Sequence, residues 1–137
     1  MTGSAVPVIS MLDTTKEFID QENLKNVLLM GTQQTLKAGF FQQYLSKNNI
    51  NVLLPSRAKI EYIGKKIETE LELGKVVPST QKKFAEIAES IISTNEVDAL
   101  ILGCTELPLI FDDIALPVKK VDVMNEHIRK LVGQIMK

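Results

Sequence analysis

Asn26-Val27-Leu28-Leu29-Met30-Gly31-Thr32 and Asp98-Ala99-Leu100-Ile101-Leu102-Gly103-Cys104-Thr105-Glu106 are the two stretches that decide the fold. Each is a short continuous apolar run that stops at a glycine followed by small polar residues. A run of that length, apolar at every position, predicts a strand buried on both faces, as in a parallel sheet. Between and around them lie longer segments with helical spacing. A helix of about four turns is expected from Thr32 to Ser46, with Leu36, Phe40, Tyr44 and Leu45 on one stripe. Ile50 to Leu54 reads as a strand stopped by Pro55. Ile60, Ile63, Ile67 and Leu71 mark a helix from about Arg57 to Leu73, with Gly74 as its C-cap. Pro78-Ser79-Thr80 opens another, whose apolar face carries Phe84, Ile87, Ala88, Ile91 and Ile92.

Strands alternating with helices imply βαβ units. The expected architecture is α/β: a three-layer sandwich with a mainly parallel sheet, flavodoxin-like. Residues 24–112 read as one complete α/β domain. The flanks, 1–23 and 113–137, fit it less directly. Val6 to Ser10 reads as a short strand with Pro7 near its start, followed by a polar helix to about Glu22. Pro117 to Val121 reads as one more strand, and Asp122 to Met136 as a terminal helix carrying His127. Two arrangements are open for these flanks: the edge of this sheet, or parts of a second domain.

Composition narrows the function. The chain has 137 residues, one cysteine, one histidine, no tryptophan and a formal net charge of −1. It is 45% hydrophobic and 24% charged, a globular balance. A lone cysteine makes no intramolecular disulfide, and one Cys with one His does not make a four-ligand zinc site. A pI near 5.9 without a basic cluster argues against nucleic acid as a partner. No apolar run approaches about 18 residues, so no membrane span is expected. No signal peptide is visible, and the cytoplasm, where a lone thiol stays reduced, is the expected compartment.

Open α/β sheets bind ligands at the carboxyl ends of their strands. Here two such ends carry similar chemistry: Gly31-Thr32 with Thr35 one turn on, and Gly103-Cys104-Thr105-Glu106. The glycines let backbone approach a ligand, and the threonines offer hydroxyl and amide donors at helix starts, a setting suited to a carboxylate. Cys104, between a strand end and a helix start, is expected to have a lowered thiol pKa. It is a candidate nucleophile or proton acceptor, set against the ordinary role of a lone cysteine as a small core residue. His127 has no partner in the sequence and is a weaker candidate. No Walker loop, Rossmann glycine triplet or serine elbow is present.

Leu102-Gly103-Cys104-Thr105-Glu106-Leu107 resembles the aspartate/glutamate racemase family, in its aspartate racemase and broad-specificity amino-acid racemase branch. Val6-Pro7-Val8-Ile9-Ser10-Met11, Met30-Gly31-Thr32-Gln33-Gln34-Thr35-Leu36 with Phe40-Phe41, Pro55 with Ile63 to Gly74, and Asp122 with His127 extend the resemblance in the same order. The resemblance implies one half of a pseudo-twofold enzyme with its site in a cleft between two α/β halves. Two thiols there would serve opposite faces of the substrate α-carbon, with no pyridoxal phosphate, other cofactor or metal. Cys104 falls on the second of those thiols. Gly31, Thr32, Thr35 and Thr105 fall on substrate-holding positions, Glu106 follows the branch pattern, and His127 lies near the family's last strand-to-helix passage. The implied ligand is a small amino acid or dicarboxylate.

The departures are equally specific. The family's opening Gly-Gly-Met-Gly turn and its earlier Cys-Asn-Thr or Thr-Asn-Thr segment have no counterpart here. Glu70-Leu71-Glu72-Leu73-Gly74-Lys75 stands where some members place a substrate-contacting lysine, and Asp122-Val123-Met124 replaces the usual Asp-Thr-Thr. The resemblance is therefore to the C-terminal half only, with the flanks expected to complete a missing N-terminal domain. Three functional expectations follow: a racemase fragment inactive as a lone monomer, a half-enzyme active as a homo-oligomer or with a partner chain, or a non-enzymatic binder of small carboxylates.

Overall fold

A computed structural model describes residues 5–124, with side-chain surroundings from residue 12 onward. The sheet has four strands: β1 (Asn26–Met30), β2 (Asn51–Leu53), β3 (Ala99–Leu102) and β4 (Lys119–Asp122). Their order is β2-β1-β3-β4 and every pair is parallel. The register sets Val27 beside Ala99 and Met30 beside Leu102, and carries on to Asp122 beside Leu102. The helices are α1 (Ala5–Gln21), α2 (Gln33–Ala38), α3 (Phe40–Lys47), α4 (Arg57–Thr69), α5 (Pro78–Thr94) and α6 (Leu107–Phe111).

Alternation along the strands builds two cores, one on each face. Leu28, Met30, Leu100 and Leu102 pack with Ile63, Ile67, Phe84, Ile87 and Phe111 on the α4–α5–α6 side. Val27, Leu29, Ala99, Ile101 and Val121 pack with Leu12, Ile19, Leu36, Phe41 and Leu45 on the α1–α3 side. Helices on both faces of a parallel sheet make the three-layer α/β sandwich expected from the apolar runs.

Two local expectations are corrected. Val6 to Ser10 is not a strand: it lies in α1. A short β-branched run has no length advantage as a strand, and Pro7 is tolerated in a first helical turn, where its missing N–H has no partner to lose. The four-turn helix after Thr32 is broken at Gly39, which takes φ +73° and caps α2 by donating its N–H to the Thr35 carbonyl. The left-handed turn presents Phe41, not Phe40, to the core; Phe40 stays 57% exposed. Gly74, at φ +76°, ends the short 3₁₀ turn Leu71–Leu73 as expected of a C-cap.

The flanks, where described, lie on this sheet. β4 is its edge strand, and Lys119 pairs with Glu22 just past the end of α1. Lys120 Nζ donates to the carbonyls of Phe111 and Ile114 at 2.7 Å each, tying the strand to the α6 turn. Tyr44 of α3 donates its hydroxyl to the Asp13 carboxylate, fastening α1 to the same face. The helix expected to run to Met136, and with it His127, falls beyond Met124 outside the described residues.

Candidate functional site

The reversal of strand order falls between β1 and β3, the place where open α/β sheets bind ligands at their carboxyl ends. Gly31 and Gly103 meet there. The Gly103 N–H donates to the Met30 carbonyl at 2.8 Å, and a Cβ on Gly31 would lie 3.9 Å from the Gly103 carbonyl carbon. The two motifs, far apart in sequence, are neighbours in space.

On the β1 side, Thr32 is the N-cap of α2. Its Oγ1 accepts from the Thr35 N–H at 3.1 Å and donates to Thr35 Oγ1 at 2.9 Å. Both threonines are half-buried. On the β3 side, Thr105 Oγ1 donates to Glu106 Oε2 at 2.8 Å. Cys104 is half-buried and packs against the core that holds Leu102 and Leu107. With Gly103, Thr105, Val123 and Met124 it lines a small cavity of about 60 Å³ at the end of β4.

The thiol departs from expectation. Burial is the largest influence and pushes its pKa up to about 11. Backbone N–H groups of Glu106 and Leu107 favour the thiolate but do not offset burial, and the Glu106 carboxylate adds to the rise. The expected lowering came from position alone. Apolar packing behind the sulfur opposes it, and α6, at five residues, is a short helix whose dipole has little to set against that burial.

A second space opens beside Thr32. A cavity of about 500 Å³ between α2 and α4 is lined by Thr32, Gln33, Gln34, Lys37, Gly64, Glu68 and Glu72. The strand-end motifs do not announce it. The available signal was Gly64, a glycine inside an otherwise well-formed amphipathic helix, where glycine costs about 1 kcal/mol relative to alanine and so has a packing reason. Among the described residues, no group of three His, Cys, Asp or Glu side chains lies placed to hold a metal ion. No described helix is long and apolar enough to cross a membrane.

A parallel sheet with helices on both faces and glycine-bearing turns at its switch point defines a doubly wound α/β protein. The chain belongs to the Asp/Glu/Hydantoin racemase family, whose model matches residues 2–131. An aspartate racemase homologue from Pyrococcus horikoshii OT3 is 28% identical, with a TM-score of 0.85 over 93% of this chain and 55% of that one. Picrophilus torridus aspartate racemase is 29% identical with a TM-score of 0.67, over 90% of this chain and 51% of that one. A glutamate racemase of Limosilactobacillus reuteri is 26% identical over 91% of this chain and 46% of its own length. A Pectobacterium carotovorum subsp. carotovorum protein, described as an uncharacterized protein in the pnlA 3′ region, is 30% identical over 91% of this chain and 83% of its own length. The chain thus spans about half the length of the racemases it matches, and most of the length of the Pectobacterium protein.

Proposed function

We propose that this chain forms one wall of a cofactor-independent amino-acid racemase site of the aspartate/glutamate type, with Cys104 as one of two thiol acid/base groups. The observation that carries the reading is the meeting of the Gly31-Thr32 and Gly103-Cys104 turns at the carboxyl ends of β1 and β3. There the Thr32 and Thr35 hydroxyls, Thr105 and Glu106 stand ready to hold the carboxylate and ammonium of a small amino acid, and Cys104 supplies a proton-bearing sulfur. A thiol with pKa about 11 is protonated at neutral pH, so its resting role is proton donor to an α-carbanion. In the reverse direction its thiolate, strongly basic because it is desolvated, takes the α-proton back.

Racemisation needs a second base on the opposite face. Among residues 1–137 there is no second cysteine. The complementary group is therefore assigned to another polypeptide segment, a second copy of this chain or a separate N-terminal half, while the described parts of the flanks, α1 and β4, belong to this chain's own sheet. The lone monomer is expected to be inactive, because a one-walled cleft admits water and weakens every electrostatic contact to the carbanion. The site is expected to work in the cytoplasm.

A second reading has its own support. Cys104 packs with the apolar core and is held as a neutral thiol, which also suits a non-enzymatic domain that binds small carboxylates without moving a proton. Hydrogen exchange at the α-carbon of aspartate and glutamate in deuterated water separates the two. The racemase reading expects exchange when the complementary half is supplied and its loss in Cys104→Ser; the binder reading expects ligand affinity with no exchange in either protein.

A further inference from the structure

The end of β4 comes up beside the thiol. Its register with β3 sets Asp122 beside Leu102, so Val123 and Met124 follow at the level of Gly103 and Cys104. Both line the space of about 60 Å³ that also touches Gly103, Cys104 and Thr105. Val123 is buried, and Met124 is half-buried at the rim. This lining does not suit water. A trapped water needs about two to four polar partners. Val123 and Met124 bring no hydrogen-bond donor, and Thr105 Oγ1 is already donating to Glu106 Oε2. The sulfur therefore has apolar atoms on its β4 side as well as the Leu102 and Leu107 core behind it.

The charges around the thiol leave this packing as the adjustable influence. The Glu106 carboxylate, just before α6, acts on the sulfur. On β4, Lys119 pairs with Glu22, Lys120 Nζ donates to the Phe111 and Ile114 carbonyls, and Asp122 lies at the level of Leu102. The Gly31-Thr32 turn on the β1 side carries no ionisable side chain. We propose that Met124, backed by Val123, is a positioning residue that closes the β4 side of the space beside Cys104, keeps water from the sulfur and so holds the thiol as a proton donor. This rests on the reading of Cys104 as an acid/base group. A flexible, unbranched thioether suits the role, because it fills an irregular gap without bringing a donor to the thiolate.

The test is the pH profile of Cys104 alkylation by iodoacetamide in this chain, compared with Met124→Ser, Met124→Gln and Met124→Leu. Each polar variant is expected to lower the midpoint by about one pH unit and to raise the rate near about pH 8 roughly tenfold. Met124→Leu, which keeps the wall apolar, is expected to keep the midpoint. Easier access alone would raise the rate by one factor at every pH and leave the midpoint in place, so the midpoint is the deciding readout. Met124 is half-buried and Met124→Gln keeps its length, so the fold is expected to survive. A midpoint that stays in place in either polar variant, or that moves as far in Met124→Leu, would overturn the inference. No substrate is needed, so the inference and the racemase reading fail separately. A lowered midpoint with no α-hydrogen exchange once the complementary half is supplied would keep the shield and sink the racemase reading. Cys104-dependent exchange with an unmoved midpoint would do the reverse.

Discussion

Gly103 lies so close to Met30 that a Cβ on it would sit 3.0 Å from the Met30 carbonyl oxygen and 3.3 Å from Leu29 Cδ1. This contact holds the carboxyl ends of β1 and β3 together, and with them the two halves of the candidate site. Gly103→Ala is expected to push backbone against backbone and cost about 1–3 kcal/mol, visible as a lowered melting temperature. Gly31→Ala is the control. Its Cβ would meet Thr35 at 3.6 Å, ordinary contact, so its stability change should stay within about 0.5 kcal/mol.

Cys104 should be a slow thiol at neutral pH. With its pKa pushed up to about 11 by burial, the thiolate fraction, and so the alkylation rate by iodoacetamide, should rise about tenfold per pH unit until that value. Rates measured between pH 7 and 10 check this. A rate that levels off below pH 9 would mean that the strand-end amides outweigh burial after all.

The strands' other end has its own clasp. Asp98 Oδ2 accepts from the backbone N–H groups of Lys25 and Asn26 at 2.8 and 2.9 Å, joining the start of β1 to the start of β3. These bonds hold the carboxyl below its ordinary value of 3.8. The sign follows: a lowered folded-state pKa means that the stabilisation is present above about pH 4 and is lost as pH falls through the folded value. Because Asp98 is exposed, its contribution is expected to be under about 1 kcal/mol. Asp98→Ala should show that loss at neutral pH in urea unfolding and a shallower decline in acid.

Tyr44 reports whether α1 is docked. Its hydrogen bond to Asp13 is the main cause of a hydroxyl pKa pushed up to about 12, with burial second. The raised value favours the fold below the ordinary tyrosine pKa near 10, and that contribution disappears as pH rises through about 12. Ultraviolet titration of Tyr62→Phe, which leaves Tyr44 as the only tyrosine, should give a midpoint near 12. Adding Asp13→Asn should bring it back toward 10.

The sheet was legible because its central strands are written as uninterrupted apolar runs closed by glycine. Asn26–Met30 was read with its observed bounds, and Ala99–Leu102 lies within the run that begins at Asp98. Helix α4 is equally plain from spacing, but it stops at Thr69, four residues short of the expected Leu73, and Gly74 caps the 3₁₀ turn Leu71–Leu73 that follows. The misread elements turn on information that a local pattern lacks. Val6 to Ser10 is short and β-branched, and only the continuous helical pairing through Gln21 decides its state. The helix expected from Thr32 to Ser46 is split into α2 and α3 by the positive φ of Gly39, which a stripe of apolar spacing does not encode. For the site, the two turns were visible as motifs, but their meeting depends on the parallel register. The Cys104 pKa depends on Leu102, Leu107 and the core behind them, which no strand-end rule contains. The cavity that Gln33 borders arises from the approach of α2 to α4, two segments separated by β2.

The central claim is that Cys104 moves the α-proton of an amino acid bound at the carboxyl ends of β1 and β3 once the opposite wall is present. The direct measurement is proton NMR of α-deuterium incorporation into aspartate and glutamate. It uses this chain mixed with the N-terminal half of a family racemase, beside the same mixture with Cys104→Ser. The account predicts incorporation by the mixture, none detectable from the lone monomer, and a loss of about 1,000-fold or more with Cys104→Ser, in the range for removing a reacting group. Incorporation that persists at an unchanged rate in Cys104→Ser would contradict it.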